Sequence, residues 1–143
     1  MDASKEIRKL SKKIEMEIKN KLEKVMTVND VYFAIVTEPS PIFKKIRTYL
    51  VFSFCAYLPA DIDKYIFSLF KGLRYDVFKM GCFEYKKKIR ADKIGEAVTE
   101  LLEKVDRCVK DCLEIINAYE NQQQKIAYAL KETVNTMEKG DEV

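Results

Sequence analysis

From Ile94 onward the apolar residues fall in alternate steps of four and three: Ile94, Val98, Leu101, Val105, Cys108, Cys112, Ile115, Tyr119, then Gln122, Ile126 and Ala129. That spacing is a heptad seam, and only an α-helix turns such a pattern into one continuous stripe. With Asp92 as its cap and Gly140 as its terminator, the predicted helix has roughly 45 residues and is about 70 Å long. It therefore bends, breaks or projects beyond the rest of the fold. The polar run Asn121-Gln122-Gln123-Gln124 leaves two readings open. Either the helix stops there and a last helix folds back, or a polar layer sets register against a partner.

A second helical stripe occupies the N-terminal end. Ile7, Leu10, Ile14, Ile18, Leu22 and Val25 are spaced by three or four, which predicts an amphipathic helix of about two dozen residues with a charged outer face. The stretch from Val31 to Thr37 is short enough to be helix or strand, and a short helix is the expectation. Thr27 and Asp30 have capping-box-like spacing and favour helix, while VYFAIVT is β-branched and aromatic enough for a strand. The prolines of Glu38-Pro39-Ser40-Pro41 mark a break, with Ser40 and Pro41 suited to open a third helix. That helix would carry Ile42, Phe43, Ile46, Tyr49, Leu50, Ser53, Phe54 and Tyr57, be buried nearly all round, and end at Leu58-Pro59. A fourth would start with Asp61 and Asp63 at the positive end of its dipole, bury Ile62, Ile66, Leu69, Leu73, Val77 and Met80, and stop at Gly81. Residues 82–90 read as a connection with at most one extended segment. The expectation is an all-α fold, a bundle of four to five helices in a single domain spanning 1–143, ending in the long heptad-patterned helix.

Composition limits the chemistry. There is no histidine, which removes Ser-His-Asp and Cys-His nucleophilic sites, imidazole acid-base catalysis and nearly every catalytic zinc arrangement. The four glycines, at 72, 81, 95 and 140, are too far apart for a phosphate loop or a dinucleotide fingerprint. The carboxylate pairs Asp61/Asp63 and Glu15/Glu17 have a spacing of two, which points them to different sides of a helix. Of the four cysteines, Cys108 and Cys112 lie one helical turn apart on the seam, where a thiol packs as a small hydrophobe. A four-cysteine zinc site would need Cys55 and Cys82 as well, without the tight loop knuckles such sites use. No enzyme, cofactor or metal is expected.

Binding is what remains. Formal charge is +3, unevenly placed: residues 1–93 carry +8 and residues 94–143 carry −5. Three basic clusters are candidate partner-binding residues. The first is Lys5, Arg8, Lys9, Lys12 and Lys13, along one helix side. The second is Lys44, Lys45 and Arg47, inside a stretch from Pro39 to Ala60 with no acidic residue. The third is Lys86, Lys87, Lys88, Arg90 and Lys93, beside Phe83 and Tyr85, where consecutive lysines cannot all find carboxylates one helical turn away. Phosphate contact is the usual use of such a group, and nearby rings can stack on bases. Most of the rings between residues 32 and 85 are expected in the core, and any of Phe52, Phe54, Tyr57, Phe67, Phe70 and Tyr75 that the third and fourth helices leave uncovered would form an aromatic docking patch.

These features predict a non-enzymatic regulatory or interaction protein. It would dock through its basic surface on an acidic or nucleic-acid-handling partner, in one form as an inhibitor occluding a nucleic-acid channel such as that of RNA polymerase. Two alternatives stand beside it: a self-associating structural protein of coiled-coil or virion type, dimerising through residues 94–138, and a non-specific nucleic-acid-binding protein. The longest apolar run, Tyr49–Leu58, is half of the roughly twenty residues a membrane span needs, and the N-terminus is charged from Asp2. No membrane partner and a cytoplasmic location are expected. The excess of Lys and Glu over Asn and Gln is a balance found in proteins from hot environments.

Overall fold

The computed structural model describes residues 2–57, 74–76 and 82–141. The chain runs α1 (Ala3–Leu22), β1 (Thr27–Pro39), β2 (Ile46–Tyr57), β3 (Arg74–Asp76), β4 (Cys82–Ile89), a single 3-10 turn at Ala91–Lys93, and α2 (Ile94–Asp141). The strands form one antiparallel sheet in the order β1-β2-β4-β3. This corrects the expected all-α bundle: the fold is α+β, and the described residues contain two α-helices.

The correction has a local cause in each strand. Over Val31–Thr37 the β-branched and aromatic side chains prevail over the capping-box spacing, and the segment belongs to β1. Residues 46–57, read as a helix buried all round, are a strand with two unequal faces. Leu50, Phe52, Phe54 and Ala56 are buried, while Val51, Ser53 and Cys55 between them are half-buried. Because nearly every residue of the run is apolar, the period of two is invisible in the sequence and emerges only in the burial. The Pro39-Ser40-Pro41 break is real but opens a hairpin loop, closed by the Ser40 N–H donating to the Lys45 carbonyl at 2.7 Å. Residues 82–89, read as a connection, form β4. The fourth expected helix falls outside the described residues except at Arg74–Asp76, which form β3.

Both helices cover the same sheet face. Ile18 and Leu22 of α1, and Leu101, Val105, Cys108 and Cys112 of α2, meet Phe33, Leu50, Phe52, Phe54 and Phe83 in one core. Ring stacking continues through it, with Phe54 and Phe83 at 5.0 Å and Phe52 and Phe54 at 5.4 Å between centroids. The helices are tied to each other at the rim by Lys21 Nζ and the Asp106 carboxylate, 2.7 Å apart. On the opposite sheet face Cys55 and Cys82, partners across β2 and β4, form a disulfide. That bond takes both out of any four-cysteine metal set.

α2 is one unbroken helix of 48 residues, which settles the question at Asn121 in favour of continuity. Its seam is half-buried at Ile94 and Val98, buried in the chain's own core from Leu101 to Cys112 and half-buried again to Tyr119, and every residue from Glu120 to Gly140 is exposed. Gln122 is therefore not a buried polar layer within the chain. No helix among the described residues is long and apolar enough to cross a membrane.

Candidate docking site

Antiparallel register decides where the basic residues go. β1 ends at Pro39 opposite Ile46, where β2 begins, and Thr48 near that start pairs with Ile89 at the end of β4. The second and third clusters, some forty residues apart in sequence, thus converge on one end of the sheet. Lys44, Lys45 and Arg47 occupy the hairpin loop and the strand start, and Lys86, Lys87, Lys88 and Arg90 approach on the neighbouring strand. α2 starts from the same end, bringing Lys93.

The first cluster heads the same way. α1 is fixed along β1 at two points: Leu22 leads through Met26 into Thr27, and the Glu15 carboxylate accepts the Phe33 N–H at 3.2 Å. From Phe33 to Pro39 the strand advances about 20 Å, and from Glu15 back to Lys5 the helix advances about 15 Å. The exposed side chains of Lys5, Arg8, Lys9, Lys12 and Lys13 therefore run towards the hairpin end.

Strand alternation splits the third cluster between two faces, which its reading as a connection did not anticipate. Lys86 and Lys88 share a face with Tyr49. The Lys86 ammonium lies 4.4 Å from the Tyr49 ring centroid and 3.4 Å from the Glu38 carboxylate. Lys87 points to the helix side and pairs with Glu100 at 3.4 Å. Arg90 pairs with Asp92 at 3.0 Å and Lys93 with Glu96 at 3.3 Å. All of these are exposed pairs, each worth at most about 1 kcal/mol, so an incoming anion can replace the carboxylate at small cost. In the second cluster Lys44, Lys45 and Arg47 have no ion pair among the described residues, and their charge is available without exchange.

What sequence reasoning missed is the apolar tip between these charges. Ile42, Phe43 and Ile46, assigned to a buried helix, are 80 %, 64 % and 74 % exposed. Their exposure was legible only through the flanks: two β-rich runs separated by a short proline-containing segment spell a hairpin, whose loop residues face water. Lys44 at the tip holds φ at 49°, in the left-handed region that glycine or asparagine adopts more readily. Among the described residues, the cleft at this end is small, about 170 Å³ between Lys88, Arg90 and Glu96. Pockets that enclose small molecules are several hundred Å³. The end presents a charged and apolar surface.

Cys108 and Cys112 are buried in the core. Burial, with Asp111 second, pushes the Cys108 thiol up, and burial together with Cys108 and Asp111 pushes Cys112 up to about 12. Thiols held protonated in this way are poor nucleophiles at neutral pH. Among the described residues no group of three or more cysteines and carboxylates is placed to hold a metal ion.

No protein-family model, curated protein or solved structure matches this chain.

Proposed function

We propose that this chain is a non-enzymatic docking protein that seats its hairpin end on an acidic protein partner. One observation carries the reading: three large apolar side chains, Ile42, Phe43 and Ile46, stand exposed among Lys44, Lys45 and Arg47, cations without ion pairs among the described residues. Burying exposed apolar groups of this size in a complementary hollow lowers the free energy by roughly 25 cal/mol per Å². The surrounding cations steer the approach towards negative potential and fix orientation.

The reading extends to a partner that handles nucleic acid, with occlusion of a channel such as that of RNA polymerase as the form the activity takes. Enzymes that transfer phosphoryl groups gather carboxylates around their catalytic metal ions. A basic, apolar-tipped hairpin end complements the acidic wall of such a cleft. Direct binding of nucleic acid is the second reading, favoured by Lys86, Lys88 and Tyr49 sharing one sheet face.

Affinity capture from the native host's lysate at low salt, with and without nuclease, tests both. The docking reading expects a protein retained after nuclease and lost when Lys44, Lys45 and Arg47 are changed to Glu or Phe43 to Ser. Retention that nuclease abolishes, with affinity falling steeply as salt rises, supports the second reading instead. Recovery of neither protein nor nucleic acid rejects both.

A further inference from the structure

The distal half of α2 exposes a stripe that the proximal half buries. At about 100° per residue, Leu101, Val105, Cys108, Cys112 and Tyr119 fall within a sector roughly 60° wide, and Ile126, Leu130 and Met137 fall within the same sector. Up to Tyr119 that sector packs on the chain's own core; beyond it Ile126, Leu130, Val134 and Met137 are 43–64 % exposed. An apolar stripe on a helix that no other described residue covers is an association surface.

We infer that the arm from Gln122 to Met137 pairs antiparallel with the same arm of a second copy of this chain. Layering decides the direction. The chain's own core occupies the layer facing the seam as far as Tyr119, so a second helix has room in that layer only beyond it. Were the two helices parallel, the partner's proximal half would have to occupy the space of the first copy's sheet. Run antiparallel, each arm fills the layer where the other copy's sheet leaves off, and the seam is covered along its whole length.

The contact positions suit a second copy better than a charged partner. Taking Ile126 and Leu130 as successive d and a positions, a, d, e and g from Gln122 to Met137 contain no charged residue. Lys125, Lys131, Glu132 and Glu138 all fall on the outer b and c positions, and three lysines against two glutamates leave residues 121–140 nearly neutral. Such a face offers a charged partner nothing to pair with, and offers its own copy no like-charge repulsion. Ala127 and Ala129 flank the core positions and let the helices approach closely. In the antiparallel register Ile126 faces Met137 and Leu130 faces Thr133, each layer occurring twice under the twofold axis.

Light scattering of the full chain across micromolar concentrations tests the inference. The expected result is a mass of two chains that halves when Leu130 and Met137 are both changed to Glu, with the melting transition of the sheet-packed body unmoved. A wild-type monomer throughout, or a dimer that survives the double change, overturns it. Direction is read by oxidative cross-linking of Leu130→Cys and Thr133→Cys. A mixture of the two single variants should cross-link as a heterodimer while neither does so alone; cross-linking of each with itself means a parallel pair and overturns the register. The pairing is independent of what the hairpin end binds, and a monomer that still captures a partner would sink this inference alone.

Discussion

The Glu15 carboxylate on α1 accepts the backbone N–H of Phe33 at 3.2 Å, so a helix side chain satisfies a donor on the sheet's outer strand. β1 is the edge strand of the order β1-β2-β4-β3, and an edge donor left bare invites pairing with another chain. Lys12 holds the same carboxylate from outside at 3.4 Å, and the Glu15 side chain is only 12 % exposed. Removing it strands the Phe33 amide in a place water reaches poorly. Glu15→Ala is expected to cost about 1–3 kcal/mol, read as a lower urea midpoint with unchanged slope, and to speed hydrogen exchange at the Phe33 amide. Glu15→Gln keeps an acceptor oxygen and should lose clearly less.

The disulfide between Cys55 and Cys82 closes a loop of sequence separation 27 and joins the two central strands on the face away from the helices. Constraining the unfolded chain over such a loop is worth about 3–4 kcal/mol in the chain-entropy account. Reductant should therefore lower the melting temperature by several degrees. The double variant Cys55→Ser, Cys82→Ser should melt at that lowered temperature and gain no further sensitivity to reductant. Identical melts of the wild type with and without reductant would show that the bond contributes no stability.

The two helices and the three strands longer than three residues differ in how far the sequence reveals them. α1 and α2 carry one apolar stripe each over many turns, and a period sustained that long has no competing interpretation. In β2 the apolar run hides its alternation, because Val51 and Cys55 on the second face are as apolar as Leu50 and Phe52 on the first. Helix and strand then differ only in their non-local pairing, such as Phe52 with Phe33 and Tyr85, which no local pattern records. The candidate site divides along the same line. Its cations were all visible as residues, but their meeting at one sheet end follows from the register of β2 with β4. The apolar tip was hidden by the helix assignment itself.

Burial of the core thiols sets a pH dependence. Cys112 is pushed up to about 12 from an ordinary 9.0, first by desolvation and then by Cys108 and Asp111. Its protonated form is thus favoured in the fold, so its contribution is fully present below pH 9. The contribution falls as pH rises from about 9 towards 12, where the unfolded chain has lost the proton and the native one still holds it. Between pH 8.5 and 10 the wild type should lose urea stability more steeply than Cys112→Val. Below pH 8 the two profiles should run parallel. Native protein should also react with thiol reagents far more slowly than unfolded protein at the same pH.

Lys44 separates stability from binding at a single position. Its φ of 49° costs an L-residue about 1 kcal/mol, and the loop is closed around it by the Ser40–Lys45 backbone hydrogen bond at 2.7 Å. Glycine adopts this conformation without strain and loses part of the gain through its freer unfolded chain. Lys44→Gly should therefore be neutral or stabilising by up to about 1 kcal/mol, since Lys44 has no ion pair among the described residues. If the hairpin end docks on an acidic partner, the same change weakens capture and reduces its sensitivity to salt, because one cation has left the contact. Lys44→Asn, which also tolerates the left-handed region, should behave alike. Lys24→Gly provides the contrast: this exposed cation, in the turn after α1 at the far end of β1, should leave capture unchanged. Equal capture by wild type and Lys44→Gly, at every salt concentration, would mean that the strained lysine contributes nothing to the contact.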